Sequence, residues 1–187
     1  PTMGSLHKGH ISLIKKSKKK SNKTLVSIFI NPKQFNNKKD FRLYPRNNKK
    51  DLSILKKLNV DFVYLPSEKS IYNLKRKKKI KLNKKDKILC ANYRKRHFEG
   101  VIDVMDRLTN MVNPNYIFMG EKDFQQLYLV KNFIKKKYKS KIISCKTIRN
   151  NNKLALSSRN LLLKKDQLNN AEKLSEILIS FKKKLNK

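Results

Sequence analysis

Two histidines, His7 and His10, stand three residues apart in the opening stretch PTMGSLHKGH, with Gly4 and Gly9 beside them. The whole chain holds only three histidines and four glycines. The stretch runs from a strand-like PTM into a helical pattern. A helix start offers unpaired backbone N–H groups and the positive end of the helix dipole, which together suit a phosphate. Gly4 and Gly9 would let phosphates approach the backbone closely. At a spacing of three on a helical turn the two imidazoles share one face. There they could donate to phosphate oxygens as charge builds in an adenylation transition state. The plainer reading of the same residues is a helix cap with two surface histidines.

Three further clusters carry chemistry. In MGEKDFQQL, Lys122 can reach a phosphate as a point charge. Asp123 can cap the following helix or order a ribose or a lysine, and Gln125 and Gln126 offer both donors and acceptors. In LALSSRN, Ser157 and Ser158 supply hydroxyls and Arg159 a permanently charged fork. In SIFINPKQF, Asn31 and Gln34 could bind a hydroxyl and a carboxylate. Each also reads as ordinary structure: a capped helix, a polar turn, an Asn-Pro loop.

These clusters need elements to hold them. The apolar, β-branched runs 24–30, 61–66, 115–120 and 141–147 predict strands. The patterns at 9–21, 49–59, 100–112, 124–137 and 166–185 predict helices, with Leu52, Leu55 and Leu58 on one face of the second and Val101, Met105, Leu108 and Val112 on one face of the third. The charged stretch 75–87 is poorly patterned, with Ile80 and Leu82 as candidates for an edge strand. Strands alternating with helices predict an α/β fold around a parallel sheet, whose ligands bind at the carboxyl ends of the strands. The four clusters all follow predicted strands.

With 187 residues the chain is long enough for one ordinary domain with a real core. Its formal net charge of +35 invites a nucleic-acid reading. Only 8 of the 48 basic residues are Arg, however, and the Lys is spread along the chain among Asn. Sequence-reading surfaces favour the bidentate fork of Arg, so no specific nucleic-acid partner is expected. Cys90 and Cys145 are far apart with no CxxC spacing, which predicts buried free thiols in a reducing compartment rather than zinc ligands or a disulfide. No stretch has the length and apolarity of a membrane span and none resembles a signal peptide, so no membrane partner is expected and the expected location is cytoplasmic.

Taken in order, PTMGSLHKGH, VSIFINPKQF, DFRLYPR, HFEGV, GEKDFQQL and LALSSRN resemble the pantoate–β-alanine ligase family over residues 1 to about 160. HxGH after a strand is the mark of the wider nucleotidyl-transfer group. The resemblance implies a Rossmann-like parallel sheet of the HxGH nucleotidyl-transferase type spanning 1–160, with 161–187 starting a truncated C-terminal lid domain. It implies condensation of pantoate with β-alanine through a pantoyl adenylate, with ATP as a substrate, Mg²⁺ on its phosphates, and a homodimer. An inactive or nucleic-acid-binding basic remnant of such an enzyme is the alternative.

By the same resemblance, Met3, Gly4, Ser5, Leu6, His7, Lys8, Gly9 and His10 line the ATP site, with His10 as proton donor. Gly120, Glu121, Lys122 and Asp123 bind ATP, as do Ile148 at the adenine and Leu156, Ser157, Ser158 and Arg159 over the triphosphate. Gln34 and Gln126 hold pantoate, with Gln34 also near β-alanine. His7, His10, Lys122 and Arg159 form the catalytic set. The chain departs from the family where RKRHF keeps Arg94 and His97 but has Lys95 and Arg96 at a Pro-Gly, and where Lys153 replaces a Gly before LALSSRN.

Overall fold

The computed structural model of the chain describes residues 1–73 and 79–185. In chain order the elements are α1 (Lys8–Lys20), β1 (Leu25–Ser27), α2 (Lys38–Leu43), α3 (Asn48–Lys57), β2 (Phe62–Tyr64) and α4 (Glu68–Tyr72). They continue with α5 (Cys90–Tyr93), α6 (His97–Val112), β3 (Tyr116–Gly120), α7 (Phe124–Lys137), β4 (Lys141–Cys145) and α8 (Lys165–Leu185). Short 3₁₀ turns occupy Pro32–Gln34, Lys84–Asp86, Glu121–Asp123 and Ser158–Leu162.

The strands pair in parallel, as strand–helix alternation requires. β1 lies on β2 with Val26 opposite Val63, and β3 lies on β4 with Phe118 opposite Ile143. The pairs form two separate two-stranded sheets among the described residues. The opening residues extend the first pair: Thr2 bridges Ile28 in parallel, with Thr2 N–H donating to Ser27 O at 2.8 Å and Phe29 N–H to Thr2 O at 3.0 Å. A groove of about 420 Å³ runs between the two pairs, lined by Leu13 and Ile14 of α1, Val26 of β1, Met105 and Leu108 of α6, and Phe118 of β3.

The core follows the amphipathic faces. Val101, Met105 and Leu108 of α6 pack with Ile117 and Met119 of β3 and with Val130 and Ile134 of α7. Leu6, Ile14, Val26, Ile28 and Leu55 form a second cluster under the opening loop. α6 starts at His97 rather than Gly100, because His97 and Phe98 are themselves buried in its first turn. On α3 the buried positions are Asp51 and Leu55, while Leu52 is exposed, so the expected Leu52–Leu55–Leu58 stripe turns out to be rotated toward Asp51. Ile80 and Leu82 pack against the first cluster without forming a strand. Residues 75–78 of that charged stretch lie outside the described residues.

Several Asn residues carry local structure. Asn37 and Asn47 accept the backbone N–H groups of Lys39 and Lys50 and start α2 and α3. Asn150 and Asn152 both donate to Glu172, at 2.6 and 2.7 Å, fastening α8 to the loop before LALSSRN. Leu174, Ile177, Leu178 and Phe181 of α8 remain exposed. Cys145 is buried but Cys90 is exposed, which corrects the expectation of two buried thiols; Cys90 opens a one-turn helix at the rim of a pocket rather than facing the core. No described helix is long and apolar enough to cross a membrane.

Candidate active site

The four clusters converge on one pocket of about 540 Å³ at the carboxyl ends of the strands. Met3, His7, Gly9, His10, Gln34, Gly120, Lys122, Asp123, Gln126, Ile148, Leu156, Ser157, Ser158 and Arg159 all line it. Gly4, Ser5, Leu6, Lys8 and Glu121 do not. The first three hold the loop in shape, Lys8 is exposed on α1, and Glu121 accepts the Ser144 hydroxyl at 2.6 Å.

The opening loop is held by a residue the sequence did not flag. Asp51 of α3, with 1% of its surface exposed, accepts the N–H groups of Ser5 and Leu6, each at 2.7 Å. The loop needs this anchor because Gly4 and Ser5 both take left-handed backbone, φ +76° and +51°. Any Cβ on Gly4 would also meet Asp51 Oδ2 and Ile28 at 3.0 Å. Gly9 answers a different need: a Cβ there would lie 2.8 Å from the His7 ring. Both glycines therefore serve the loop's own packing.

The two histidines cap α1 reciprocally. His7 Nδ1 accepts the N–H of Gly9 at 3.1 Å, and His10 Nδ1 accepts the N–H of His7 at 3.3 Å. A nitrogen that accepts a backbone N–H carries no proton, so in each neutral ring the proton sits on Nε2. The cap and the phosphate readings are thus compatible: Nδ1 holds the helix and Nε2–H is left as a donor. Both rings are held below the usual histidine range. For His7 the cause is burial, then Lys122. His10 is lowered to about 3 by burial first and then by the nearness of His7, the N-terminal amine and Lys122. At neutral pH His10 is an uncharged donor.

Gln34 ends the 3₁₀ turn after β1, and its environment fixes its amide. Buried Asn31 donates through Nδ2 to Gln34 Oε1 at 3.2 Å and to Gly100 O at 3.0 Å, and it accepts from the Tyr72 hydroxyl at 2.7 Å. The Gln34 Nε2 group rests against Met3 Sδ at 2.9 Å. From the other side, the His97 ring meets the Gln34 carbonyl at 2.5 Å through Nδ1. α6 can come this near only because residue 100 is Gly. A Cβ there would lie 2.3 Å from Lys33 O.

The cations that line the pocket beside the histidines hold carboxylates. Lys122 pairs with Asp123 at 2.8 Å, so Asp123 orders the lysine and makes no side-chain cap on α7. Arg159 pairs with Asp40 of α2 at 2.9 Å and lies over the rings of Phe35 and Tyr44. Ser157 caps its own 3₁₀ turn by accepting Arg159 N–H, and Ser158 donates to Ser5 O at 3.0 Å, tying LALSSRN to the opening loop. The Ile148 carbonyl accepts Leu156 N–H at 3.0 Å. Arg96 and Lys153, the two positions at which the resemblance implied Gly, have φ +61° and +66°.

All 187 residues match the pantoate-beta-alanine ligase family. The chain is 44% identical over 183 residues to a pantothenate synthetase of Francisella tularensis subsp. novicida, covering 95% of this chain and 69% of that protein. It is 43% identical over 189 residues to one from Endomicrobium trichonymphae, covering 98% of this chain and 67% of that protein. Among solved structures, a Francisella tularensis pantoate-beta-alanine ligase complexed with beta-gamma ATP and beta-alanine superposes with a TM-score of 0.91 at 43% identity. That match covers 95% of this chain and 69% of that one. Pantothenate synthetase from Thermus thermophilus also gives a TM-score of 0.91, at 31% identity, over 96% of this chain and 66% of that one. These likenesses, over the length of the chain and at the level of the fold, make this protein a member of the pantoate–β-alanine ligase family, an enzyme family of Rossmann-like nucleotidyl-transferase fold.

Proposed function

We propose that the chain joins pantoate to β-alanine in two steps at this pocket, using ATP. A pantoate carboxylate oxygen attacks the α-phosphorus of ATP, forming the pantoyl adenylate as the bond to pyrophosphate breaks. The β-alanine amine, as the free base, then attacks the acyl carbon. The amide forms, AMP leaves with the electron pair of the acyl–oxygen bond, and the amine proton passes to solvent.

The observation that carries this reading is the pair of Nδ1-anchored histidines lining one pocket together with Lys122 and Arg159. Adenylation gathers negative charge on the α-phosphate and the leaving pyrophosphate. His7 and His10 present fixed Nε2–H donors. Lys122 and Arg159 exchange Asp123 and Asp40 for phosphate oxygens. Because His10 stays neutral, its contribution is a hydrogen bond to the developing charge rather than transfer of a proton. Gln34, its Oε1 taken by Asn31, offers Nε2–H to the pantoate, and Gln126 the second amide.

Mg²⁺ would ride on the phosphates. Its ligands there would be mainly substrate oxygens. Its chemistry would be to neutralise phosphate charge. A lid beginning near residue 161 and assembly as a homodimer belong to the same reading, as does a cytoplasmic location.

The test follows AMP and pyrophosphate formation with pantoate, β-alanine and ATP. His10→Ala should lower kcat by about 100-fold or more. An unchanged rate would remove His10 from the mechanism, and no pantoate-dependent pyrophosphate release by the unmutated chain would remove the reading itself.

A further inference from the structure

The pocket holds an arginine that the reaction just described leaves unused. Arg94 lines the wall where α5 gives way to α6 and is half-buried. Its backbone is fixed at both ends, since its N–H donates to Cys90 O at 2.9 Å and its carbonyl accepts His97 N–H at 3.1 Å. Its guanidinium has no hydrogen bond or ion pair among the described residues. The other two guanidinium or ammonium groups expected at the triphosphate are paired, Lys122 with Asp123 and Arg159 with Asp40. Lys146 also lines the pocket but is exposed to water. Burial, followed by the nearness of Arg159, destabilises the Arg94 charge. Asp40 and Asp123 act on it only from beyond contact; a half-buried guanidinium with no carboxylate in contact costs stability, and an arriving anion would reduce that cost.

We propose that Arg94 binds a substrate oxyanion directly, as a bidentate guanidinium–oxyanion contact within this pocket. The inference rests on the ligase reading for the identity of the substrates, and it adds a residue to that site. Two oxyanions have the chemistry, the β-alanine carboxylate and a phosphate of ATP. The pantoate carboxylate is a poorer match, because a guanidinium forked onto it would withdraw electron density from the oxygen that must attack phosphorus. The β-alanine carboxylate takes no part in bond making and needs a permanent partner. Arg94 and His97 belong to one turn, and His97 grips the Gln34 carbonyl, which sets Arg94 beside the wall that carries the acid-binding amide. Arg94 also lies within electrostatic reach of Arg159, so the phosphate end is open to it. An arginine fork suits either planar carboxylate or phosphate.

The experiment compares the unmutated chain with Arg94→Ala and Arg94→Lys. Titrations of ATP and of β-alanine into each, read by saturation-transfer NMR, give affinities that do not depend on turnover. Steady-state KM values and pantoate-dependent ATP–pyrophosphate exchange give the catalytic readout. Arg94→Ala should weaken one of the two ligands by about 10- to 100-fold, as loss of a charged hydrogen-bonded contact does, and Arg94→Lys should recover part of it. A β-alanine effect with exchange unchanged assigns the carboxylate; an ATP effect with slowed exchange assigns the phosphate. Unchanged affinity for both ligands in Arg94→Ala overturns the proposal, as does failure of the unmutated chain to bind either one. Binding that depends on Arg94 in a chain with no exchange activity would uphold the contact while the two-step reading fails.

Discussion

The Asp51 carboxylate accepts the Leu6 N–H at 2.7 Å across 45 residues of sequence, and with its second oxygen it accepts the neighbouring Ser5 N–H at the same distance. One buried side chain of α3 thereby sets the path of the loop that delivers His7 and His10. In Asp51→Asn one oxygen becomes an NH₂ group facing a backbone N–H. We expect a loss of about 2–3 kcal/mol, from an unsatisfied buried donor and a lost charged bond. Urea midpoints should fall with the slope unchanged, and catalytic turnover should fall with them; an unchanged midpoint would show that the loop holds its shape without Asp51.

Gly100 gives a second expected outcome. Its Cβ would intrude to 2.3 Å from Lys33 O, a backbone atom that no rotamer change can move. Gly100→Ala must push α6 from the Pro32–Gln34 turn and stretch the Asn31–Gly100 bond. Overpacking of this kind costs about 1–3 kcal/mol, against which the helix propensity gained by Ala is about 1 kcal/mol. A lowered melting temperature together with a raised KM for pantoate is expected. A more stable variant would mean that the helix gain outweighs the clash.

Arg96 and Lys153 should respond in the opposite sense. Both hold left-handed backbone, which costs an L-residue roughly 1–2 kcal/mol relative to glycine. Glycine gives part of that back through the freedom it adds to the unfolded chain. Arg96→Gly and Lys153→Gly should each raise stability by up to about 1 kcal/mol and add together, read as a shift in denaturation midpoint. Destabilisation by either would show that side-chain contacts there outweigh the backbone strain.

The lowered histidines predict a pH dependence of stability. In the unfolded chain His10 takes a proton near its ordinary value of about 6.5, while in the fold burial delays protonation to about 3. Below the unfolded value the unfolded state binds more protons, so stability is complete above about pH 6.5 and is lost as pH falls toward 3. Between pH 7 and pH 5 His10 alone accounts for about 2 kcal/mol. His7 and His97, also lowered chiefly by burial, act in the same direction. Replacing His10 with Gln should flatten the profile by close to one proton, measured from urea midpoints at several pH values. An equally steep profile in the variant would assign the dependence to other groups.

Local order was legible in the sequence wherever it depends on neighbours. α7 spans the 124–137 range its pattern predicts, and β3 and α1 differ from prediction by a single residue at one or both ends. Apolar periodicity is set by contacts between residues one or two turns apart, and the sequence contains all of them. The order of the motifs was enough to imply the family, and most residues of those motifs line the pocket because each motif is a short run following a strand, although Gly4, Ser5, Leu6, Lys8 and Glu121 do not. What the sequence could not supply are the pairings closed by the returning chain. Asp51 meets Leu6 across 45 residues, Asn31 meets Gly100 across 69, Arg159 meets Asp40 across 119 and Ser158 meets Ser5 across 153. An aspartate in the first turn of α3 looks like any acid answering a helix dipole until α3 packs under the opening loop. Likewise Arg159 could be recognised as a cation from its type, but only the fold supplies Asp40 as its partner and, among the described residues, leaves the Arg94 guanidinium without one. Charge and hydrogen-bonding capacity belong to the residue and can be read along the chain. Whether that capacity is spent or free depends on which distant atoms occupy the same few ångströms, and that is settled by tertiary packing.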